Sequence, residues 1–278
     1  SATCSNESRL AKADRAWPSA PTNSNIMKVL VCDPISQTGI EHLQQQNGLE
    51  TIVLDRCHSE EELLPIMKDV SAMAVRSETK VTKTILEAAP EMRIVGRAGV
   101  GVDNIDIEAA TQNGVIVMNT PGGNTTTTCE LTFSMMMALA RNIPQAHGSM
   151  VTGEWNRKEF KGVELYGKTL GVLGMGRIGG EVARRAVAFG MRVMAYDPYI
   201  TPSRAKALQV ELASLEDIYA AADFITVHMP MTDETRGMLN KDTFATMKPS
   251  VRLLNCARGG IINEADLCEA LKDGKIAG

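Results

Sequence analysis

The sequence predicts an α/β protein built from two doubly wound parallel sheets. Short apolar runs, typical of strands buried on both faces, alternate with stretches of helical periodicity through residues 27–120 and again from residue 169 onward. Strands that alternate with helices are joined by crossover connections, which place them in a parallel sheet. A glycine-rich turn between a strand and a helix, at residues 174–179, marks a ligand site in the second sheet.

Composition limits the function classes. The chain has 278 residues, of which 44% are hydrophobic and 22% are charged, which suffices for two modest domains. The net charge of −4 and the lack of a long basic run give no reason to expect nucleic acid or a membrane surface as a partner. Six cysteines without a C-x-x-C pair favour a reducing, cytoplasmic compartment and no structural metal. No apolar run reaches membrane-spanning length.

The first 26 residues carry little structural signal. They are small and polar with no strand or helix period, so we expect residues 1–26 to be a disordered tail. A transit peptide is an alternative, although such peptides are poor in acids and this stretch contains Glu7 and Asp14.

Residues 27–120 predict the first domain. Ser59 and Glu62 have the spacing of a capping box, which marks a helix start. Further helices are predicted from Ser36 and near residues 82–89 and 106–113. The five predicted strands lie at residues 27–33, 50–54, 72–76, 93–96 and 115–118. We expect one parallel sheet, whose ligands bind beyond the carboxyl ends of the strands.

Three of these strand ends carry residues suited to an anion. Arg76 ends one strand, Arg97 ends the next, and the run at 119–124 ends a third. Gly99 and Gly101 would leave backbone N–H groups open, and the arginines add fixed positive charge. The pattern predicts a crevice for a carboxylate or a phosphate. The alternative is that the arginines pair with surface acids and the glycines only make turns.

The segment between the two sheets predicts one long helix. Residues 128–141 are apolar nearly all round, which is typical of a helix buried between domains or subunits. The polar stretch that follows places Trp155, Arg157 and Phe160 on a predicted loop. This loop is either a clasp between the subunits of a dimer or a plain surface loop.

The glycine-rich turn begins the second domain's ligand site. The apolar run at 170–173 predicts a strand, and it is followed by Gly174, Gly176 and Gly179 with the spacing G-x-G-x-x-G. A helix comes next, and after it a second strand that ends in Asp197. The glycines would allow a tight turn and close approach of a pyrophosphate to the helix start, and Asp197 would accept the ribose hydroxyls. A 2′-phosphate would meet like charge there, so the pattern favours NAD over NADP. The alternative is an ordinary glycine turn of an α/β fold.

Beyond Asp197 the second sheet continues. Strands are predicted at residues 224–230 and 251–257, and a helix is predicted at residues 264–272. Residues 274–278 have the pattern of the beginning of a further strand.

Four motifs occur together in order: GRAGVGVDNID, GVLGMGRIG with its following acid, FITVHMP and NCARGGIINE. On these motifs the chain from about Lys28 to Gly278 resembles the D-isomer-specific 2-hydroxyacid dehydrogenases. The resemblance implies a flavodoxin-like substrate domain that is split by an inserted Rossmann NAD-binding domain. Residues 27–120 would be the first part of the substrate domain. Residues 121–278 would be the NAD-binding domain, incomplete at its C-terminus.

The resemblance also implies roles for particular positions. Arg258 matches the family's catalytic arginine, and a guanidinium beside the nicotinamide can hold the substrate carboxylate and polarise the C2 oxygen. The NAD site would be lined by Val100, Arg177, Ile178, Asp197, His228, Met229, Cys256, Ala257 and Arg258. The substrate would be faced by Arg76, Ser77, Arg97, Gly99 and Asn124, and by Arg157 reaching the substrate phosphate of a neighbouring subunit.

The implied activity is NAD-dependent oxidation of 3-phospho-D-glycerate to 3-phosphohydroxypyruvate, the first step of the phosphorylated route to serine, by a homodimer or homotetramer. Members of the family use an acid/base histidine and a glutamate in segments beyond Gly278. His228 is a weak substitute as the proton carrier. We therefore expect the 278-residue chain alone to be an inactive, marginally folded fragment.

The sequence leaves alternatives. Met229 and Gly122 depart from residues common in the family, although neither touches the chemistry directly. The substrate could be another D-2-hydroxy acid. A different class of function is a non-catalytic NAD-binding protein, either a truncated isoform or a dehydrogenase-like corepressor.

Overall fold

A computed structural model describes residues 26–278, which form two compact units. The first unit ends at Gly123 and the second runs from Asn124 to Gly278. The tail expected at residues 1–26 lies outside the described residues, except for Ile26. In the described part of the chain no helix is both long enough and apolar enough to cross a bilayer.

The first unit contains one sheet of five parallel strands in the order β2-β1-β3-β4-β5. The order reverses between β1 and β3, as in flavodoxin-like sheets. The strands are β1 Met27–Val31, β2 Leu49–Val53, β3 Val70–Val75, β4 Ile94–Arg97 and β5 Ile116–Asn119. The helices are α1 Gln37–Gln44, α2 Glu60–Leu63, α3 Lys83–Glu87 and α4 Ile107–Gln112, and a 3₁₀ turn follows α2 at Leu64–Asp69.

Side-chain caps explain where these helices begin. Ser36, Thr82 and Asp106 each accept a hydrogen bond from a backbone N–H in the first turn of the helix that follows. Ser59 and Glu62 form the predicted capping box in both directions. Each cap satisfies backbone donors that the helix itself leaves without partners. The predicted helix starts and the parallel sheet of this unit are confirmed.

The second unit contains a second parallel sheet, in the order β10-β9-β6-β7-β8. The order reverses between β6 and β9, which is the Rossmann arrangement. The strands are β6 Thr169–Leu173, β7 Arg192–Tyr196, β8 Glu211–Leu212, β9 Phe224–Val227 and β10 Arg252–Asn255. The helices are α5 Thr125–Arg141, α6 Ile143–Val151, α7 Arg177–Ala188, α8 Pro202–Ala207, α9 Leu215–Ala221, α10 Lys241–Phe244 and α11 Glu264–Lys272.

Both faces of the second sheet are buried, as a doubly wound sheet requires. All five residues of β6 are buried. Phe224 belongs to the core on the face that α5 and α7 cover, and its neighbour Ile225 belongs to the core on the opposite face. The predicted fold class of two doubly wound parallel sheets is confirmed.

Helix α5 differs in part from its prediction. It begins at Thr125 and ends at Arg141, close to the predicted 128–141. Only one face is buried, through Phe133, Met136 and other residues, whereas Leu131 and Met135 are 53% and 44% exposed. The rest of the helix is exposed in the single chain, so the predicted burial of this helix between domains or subunits stays a prediction. Helix α6, which follows it, was not predicted.

The backbone beside β10 bears on the strand predicted at residues 274–278. No strand is assigned there, but Ala277 N–H donates to Val251 and Leu253 N–H donates to Gly278. The hydrogen bonds measure 2.9 and 2.8 Å. They place Ala277 and Gly278 alongside β10, where a sixth strand would add to this sheet.

Candidate active site

The three glycines of the turn after β6 differ in what surrounds them. Gly174 has φ of +95°, and a Cβ atom there would lie 2.7 Å from the carbonyl oxygen of His228. A Cβ on Gly179 would overlap the carbonyl oxygen of Gly174. Gly176 has open space within 4 Å of the position where a Cβ would lie. Two glycines are therefore required by the fold, and the third leaves the backbone open to a ligand.

Helix α7 starts at this turn. Gly176 is its cap residue and provides no side-chain hydrogen bond. The positive end of the helix dipole and the N–H groups of the first turn form a ready site for an anion. With the open space at Gly176, the turn has the features that a dinucleotide pyrophosphate needs.

Asp197, the residue after β7, is bonded to the same turn. One carboxylate oxygen accepts the N–H of Met175 at 2.7 Å, and the other accepts the N–H of Tyr199 at 2.8 Å. A carboxylate oxygen has capacity for two hydrogen bonds, so each oxygen can still accept a ribose hydroxyl. Asp197 thus holds the glycine turn in addition to the ribose role that the sequence suggested.

His228 follows β9 and is mostly buried. Its Nε2 lies 3.0 Å from the hydroxyl of Thr226, and its Nδ1 is buried without a hydrogen-bond partner among the described residues. Burial lowers the pKa of His228 to about 4. The imidazole is therefore neutral at physiological pH, and its pKa lies too far from neutrality for an efficient general base.

The turn after β10 carries the arginine that the sequence analysis selected as catalytic. Asn255 fixes this turn, because its amide nitrogen donates to the carbonyl of Arg258 at 2.7 Å and its amide oxygen accepts the N–H of Ala257 at 3.0 Å. The Arg258 side chain is half-buried and donates to the Ala257 carbonyl at 2.9 Å. Cys256 contacts the sulfur of Met135 on α5 at 3.5 Å.

The structure brings most of the predicted cofactor residues to one edge of the second sheet. Strands β10, β9, β6 and β7 are neighbours and parallel, so their carboxyl ends meet at that edge. The residues that follow these ends are Gly174, Gly176, Arg177, Ile178, Gly179, Asp197, His228, Met229, Cys256, Ala257 and Arg258. The Met229 side chain is buried in the core beside Gly174. Val100 lies in the first unit, so its contact with the cofactor stays a prediction.

In the first unit, Arg97 and its neighbours form a compact polar group at the ends of β3 and β4. Arg97 is only 6% exposed, and it donates from Nε to Asn104 and from Nη2 to Ser77, both at 3.0 Å. A Cβ on Gly99 would overlap Nη1 of Arg97, so a glycine is needed there for this arrangement. Arg76 is exposed and donates to the Pro34 carbonyl at 3.4 Å.

These contacts bear on the alternative that the crevice arginines pair with surface acids. No carboxylate of the described residues pairs with the guanidinium of Arg76. No acid of the described residues therefore neutralises its charge. Asn124 and Arg157 are exposed residues of the second unit, before α5 and after α6, and their contact with a substrate stays a prediction.

Sequence reasoning did not select Asp33, Thr79 or Asn104 as site residues. Asp33 is 3% exposed and hydrogen-bonded to Thr79 and to the backbone of Arg76. Asn104 joins the same loop to Arg97. Two signals were present: Asp33 is an acid directly after a buried strand, and Asn104 lies within the motif GRAGVGVDNID.

Comparison with known proteins places the chain in a family. Residues 133–278, just over half of the chain, match the model described as D-isomer specific 2-hydroxyacid dehydrogenase, NAD binding domain. The fold, with its glycine turn and strand-end acid, is that of an NAD-binding domain of this class. The chain belongs to the D-isomer specific 2-hydroxyacid dehydrogenase family.

Two of its relatives share one name. The chain is 51% identical over 253 residues to D-3-phosphoglycerate dehydrogenase of Bacillus subtilis, and 49% identical over 255 residues to that of Homo sapiens. These matches cover 91% and 92% of this chain, but 47% and 48% of the relatives. The chain thus spans about half the length of the curated relatives it matches.

Solved structures of the family agree with the fold. The TT0316 protein of Thermus thermophilus superposes with a TM-score of 0.81 at 34% identity, covering 91% of this chain and 80% of that one. D-lactate dehydrogenase of Aquifex aeolicus, complexed with NAD and lactic acid, gives a TM-score of 0.82 at 27% identity, covering 90% of this chain and 75% of that one.

Proposed function

We propose that the whole protein oxidises 3-phospho-D-glycerate to 3-phosphohydroxypyruvate with NAD, the first step of the phosphorylated route to serine. The structural observation that supports this most is the pair of arginines at the ends of β3 and β4. Arg97 is fixed beside Ser77, and the exposed guanidinium of Arg76 has no acid partner among the described residues. Two positive charges suit an acid with both a carboxylate and a phosphate. The names of the relatives support 3-phospho-D-glycerate as this acid.

The residues of the second unit fit the cofactor. The open space at Gly176 and the uncapped start of α7 receive the pyrophosphate, and Asp197 accepts the ribose hydroxyls. NAD, when bound, accepts the hydride. Arg258 holds the substrate carboxylate and stabilises charge on the C2 oxygen. An arginine does not release its proton at working pH, and His228 is neutral with a pKa of about 4. The described residues at this edge therefore supply no efficient proton carrier.

The proposal extends to domains and assembly. Residues 27–120 serve as the first part of the substrate domain and residues 121–278 as the NAD-binding domain. The protein is a cytoplasmic homodimer or homotetramer, in which Arg157 reaches the substrate phosphate of a neighbouring subunit. The exposed apolar residues Leu131 and Trp155 support a subunit contact through α5 and the loop after α6.

The test compares two D-2-hydroxy acids, one with the phosphate that Arg76 would bind and one without it. The whole protein is assayed for NADH formation with 3-phospho-D-glycerate and with D-lactate. The Arg76→Ala variant should raise the Michaelis constant for 3-phospho-D-glycerate far more than that for D-lactate, since a lost charged contact costs about 1.5–3 kcal/mol. Equal losses would place Arg76 away from the phosphate.

Other outcomes would favour the alternatives. A wild-type preference for D-lactate would indicate a dehydrogenase for another D-2-hydroxy acid. Tight NAD binding without turnover of any acid would indicate a non-catalytic NAD-binding protein. That second class draws no support from the relatives named here, which are enzymes by name.

A further inference from the structure

The loop at residues 76–79 carries Arg76 and Ser77, and a buried acid holds it. Asp33, just after β1, is 3% exposed. Its carboxylate accepts the N–H of Arg76 at 2.5 Å, the N–H of Thr79 at 3.2 Å and the hydroxyl of Thr79 at 2.6 Å. A buried carboxylate is costly unless several donors satisfy it. All the hydrogen bonds described for Asp33 come from this one loop.

Asn104 holds the same loop from its other side. Its amide nitrogen donates to the carbonyl of Arg76 at 2.8 Å and to that of Thr79 at 2.6 Å. Its amide oxygen accepts the Nε–H of Arg97 at 3.0 Å. Both amide donors and the amide oxygen are thus engaged, and each contact goes to the loop or to the buried arginine.

These hydrogen bonds form a closed network across three strand ends. Asp33 follows β1, the loop follows β3, and Arg97 ends β4. Asp33 and Asn104 fix the loop, Asn104 also fixes Arg97, and Arg97 donates from Nη2 to Ser77 in the loop. Asp33 accepts from two backbone N–H groups and the Thr79 hydroxyl, and it does not pair with the Arg76 guanidinium.

We propose that Asp33 and Asn104 are positioning residues of the anion site, which set the Arg76–Thr79 loop and the Arg97 guanidinium so that both arginines face one acidic substrate. This inference rests on the proposed function, in which these arginines bind the substrate. Asp33 and Asn104 act through the loop and do not bind the substrate themselves. Misplacing binding groups by about 1 Å can cost about 100-fold in rate, so their effect should be large.

The first measurement needs no substrate. Hydrogen exchange is followed in the whole protein for the Arg76 and Thr79 amides, which the hydrogen-bond network should protect. Asp33→Asn and Asn104→Ala should each speed this exchange by about tenfold or more, while the amides within β5 keep their wild-type rates. Unchanged exchange at Arg76 and Thr79 would overturn the inference.

The second measurement separates positioning from simple stability. Both variants should raise the Michaelis constant for 3-phospho-D-glycerate by about 10–100-fold and leave the NAD dissociation constant within about twofold. The matched control is Asp106→Ala, which removes another carboxylate of the first unit that accepts a backbone N–H, that of Ala109 at 2.8 Å. It should lower the melting temperature but not substrate affinity. Equal Michaelis constants in all three variants would overturn the inference.

Conservative changes at Thr79 provide a finer comparison. Thr79→Ser keeps the hydroxyl that donates to Asp33 and should keep the wild-type Michaelis constant for 3-phospho-D-glycerate. Thr79→Val removes the hydroxyl and should raise this constant. If the wild-type protein oxidises no acid, the proposed function fails, and calorimetric titration with inorganic phosphate replaces the Michaelis constant. Faster exchange with unchanged phosphate affinity would then reject the positioning role.

Discussion

Individual residues at this site combine a structural role with a proposed ligand-binding role, and Asp197 is the clearest example. Its carboxylate is proposed to bind the ribose, and it also accepts the N–H of Met175 inside the glycine turn. A change at Asp197 therefore disturbs the pyrophosphate site as well as the ribose site. The comparison of NAD with NADP removes this complication, because both cofactors use the same turn.

Asp197→Ala should weaken NAD binding by about 10–100-fold, since it loses charge-assisted hydrogen bonds. NADP binding should weaken less or improve, because its 2′-phosphate no longer meets a negative charge. Fluorescence titration with both cofactors measures the ratio of the two dissociation constants. A ratio equal to that of the wild-type protein would show that Asp197 does not contact the ribose.

Gly99 is a second residue whose role follows from its neighbour. Gly99→Ala would place a Cβ on Nη1 of Arg97, so this buried guanidinium would have to shift, which disturbs its hydrogen bonds to Asn104 and Ser77. We expect the Michaelis constant for 3-phospho-D-glycerate to rise at least about tenfold with NAD affinity retained. The control is Gly96→Ala in β4, where the nearest atom to a new Cβ is 3.8 Å away. Similar kinetics in the two variants would argue against the predicted role of Arg97.

At the scale of the element, the sequence located most strands and the capped helices of the first unit well, but it missed helix α6 of the second unit. The helix starts at Ser36, Ser59, Thr82 and Asp106 were predictable because caps are local chemistry. Helix α6 was not predicted, since Pro144 and Gly148 interrupt any apolar period there. Asn142, in the left-handed region at φ of 51°, separates α5 from α6.

The candidate site could likewise be predicted from the sequence only in part. Gly174, Asp197 and Arg258 could be placed from sequence because each follows a strand end, and the ends of parallel strands meet at one edge. The contacts of Asp33 could not be placed, because its partners lie 43 and 46 positions along the chain. Which backbone N–H a buried acid meets depends on register and strand order, which no local pattern specifies.

The packing of β6 against α9 depends on one strand glycine. A Cβ on Gly171 would overlap Cγ2 of Ile218 in α9 and lie 3.4 Å from Ile225. Gly171→Ala should therefore lower the free energy of unfolding by about 1–3 kcal/mol through overpacking. Urea denaturation measures the change.

The double variant Gly171→Ala/Ile218→Ala tests the cause. Removing the Ile218 side chain makes room for the new methyl group, so the combined loss should be clearly smaller than the sum of the two single losses. Additive losses would show that the two residues do not compete for the same space.

For the whole molecule, His228 should make stability depend on pH. Its pKa is about 4 in the fold and about 6.5 in the unfolded chain, so between these values only the unfolded state binds the extra proton. The contribution to stability is present above about pH 6.5 and is lost as the pH falls toward 4, by at most about 1.4 kcal/mol per pH unit. Glu62, whose pKa the Arg56 side chain lowers to about 2, acts only at lower pH.

Urea denaturation at about pH 7 and about pH 5 measures this dependence. His228→Gln should reduce the difference in unfolding free energy between the two pH values, because the titrating group is gone. His147→Gln, at an exposed position of the same unit, should keep the wild-type difference. A His228→Gln variant that retains the full difference would assign the effect to other groups.

The contiguity of the first sheet has a consequence for synthesis on the ribosome. All five of its strands lie between Met27 and Asn119, and every strand pair in both sheets is parallel, so no hairpin can start either sheet. Such non-local pairing is slow. Translation of the about 50 residues between β5 and β6 takes roughly 3–10 s, which gives the nascent first unit time to pair its strands before those of the second unit emerge. The order of emergence thus keeps two sets of unsatisfied strand edges from pairing with each other.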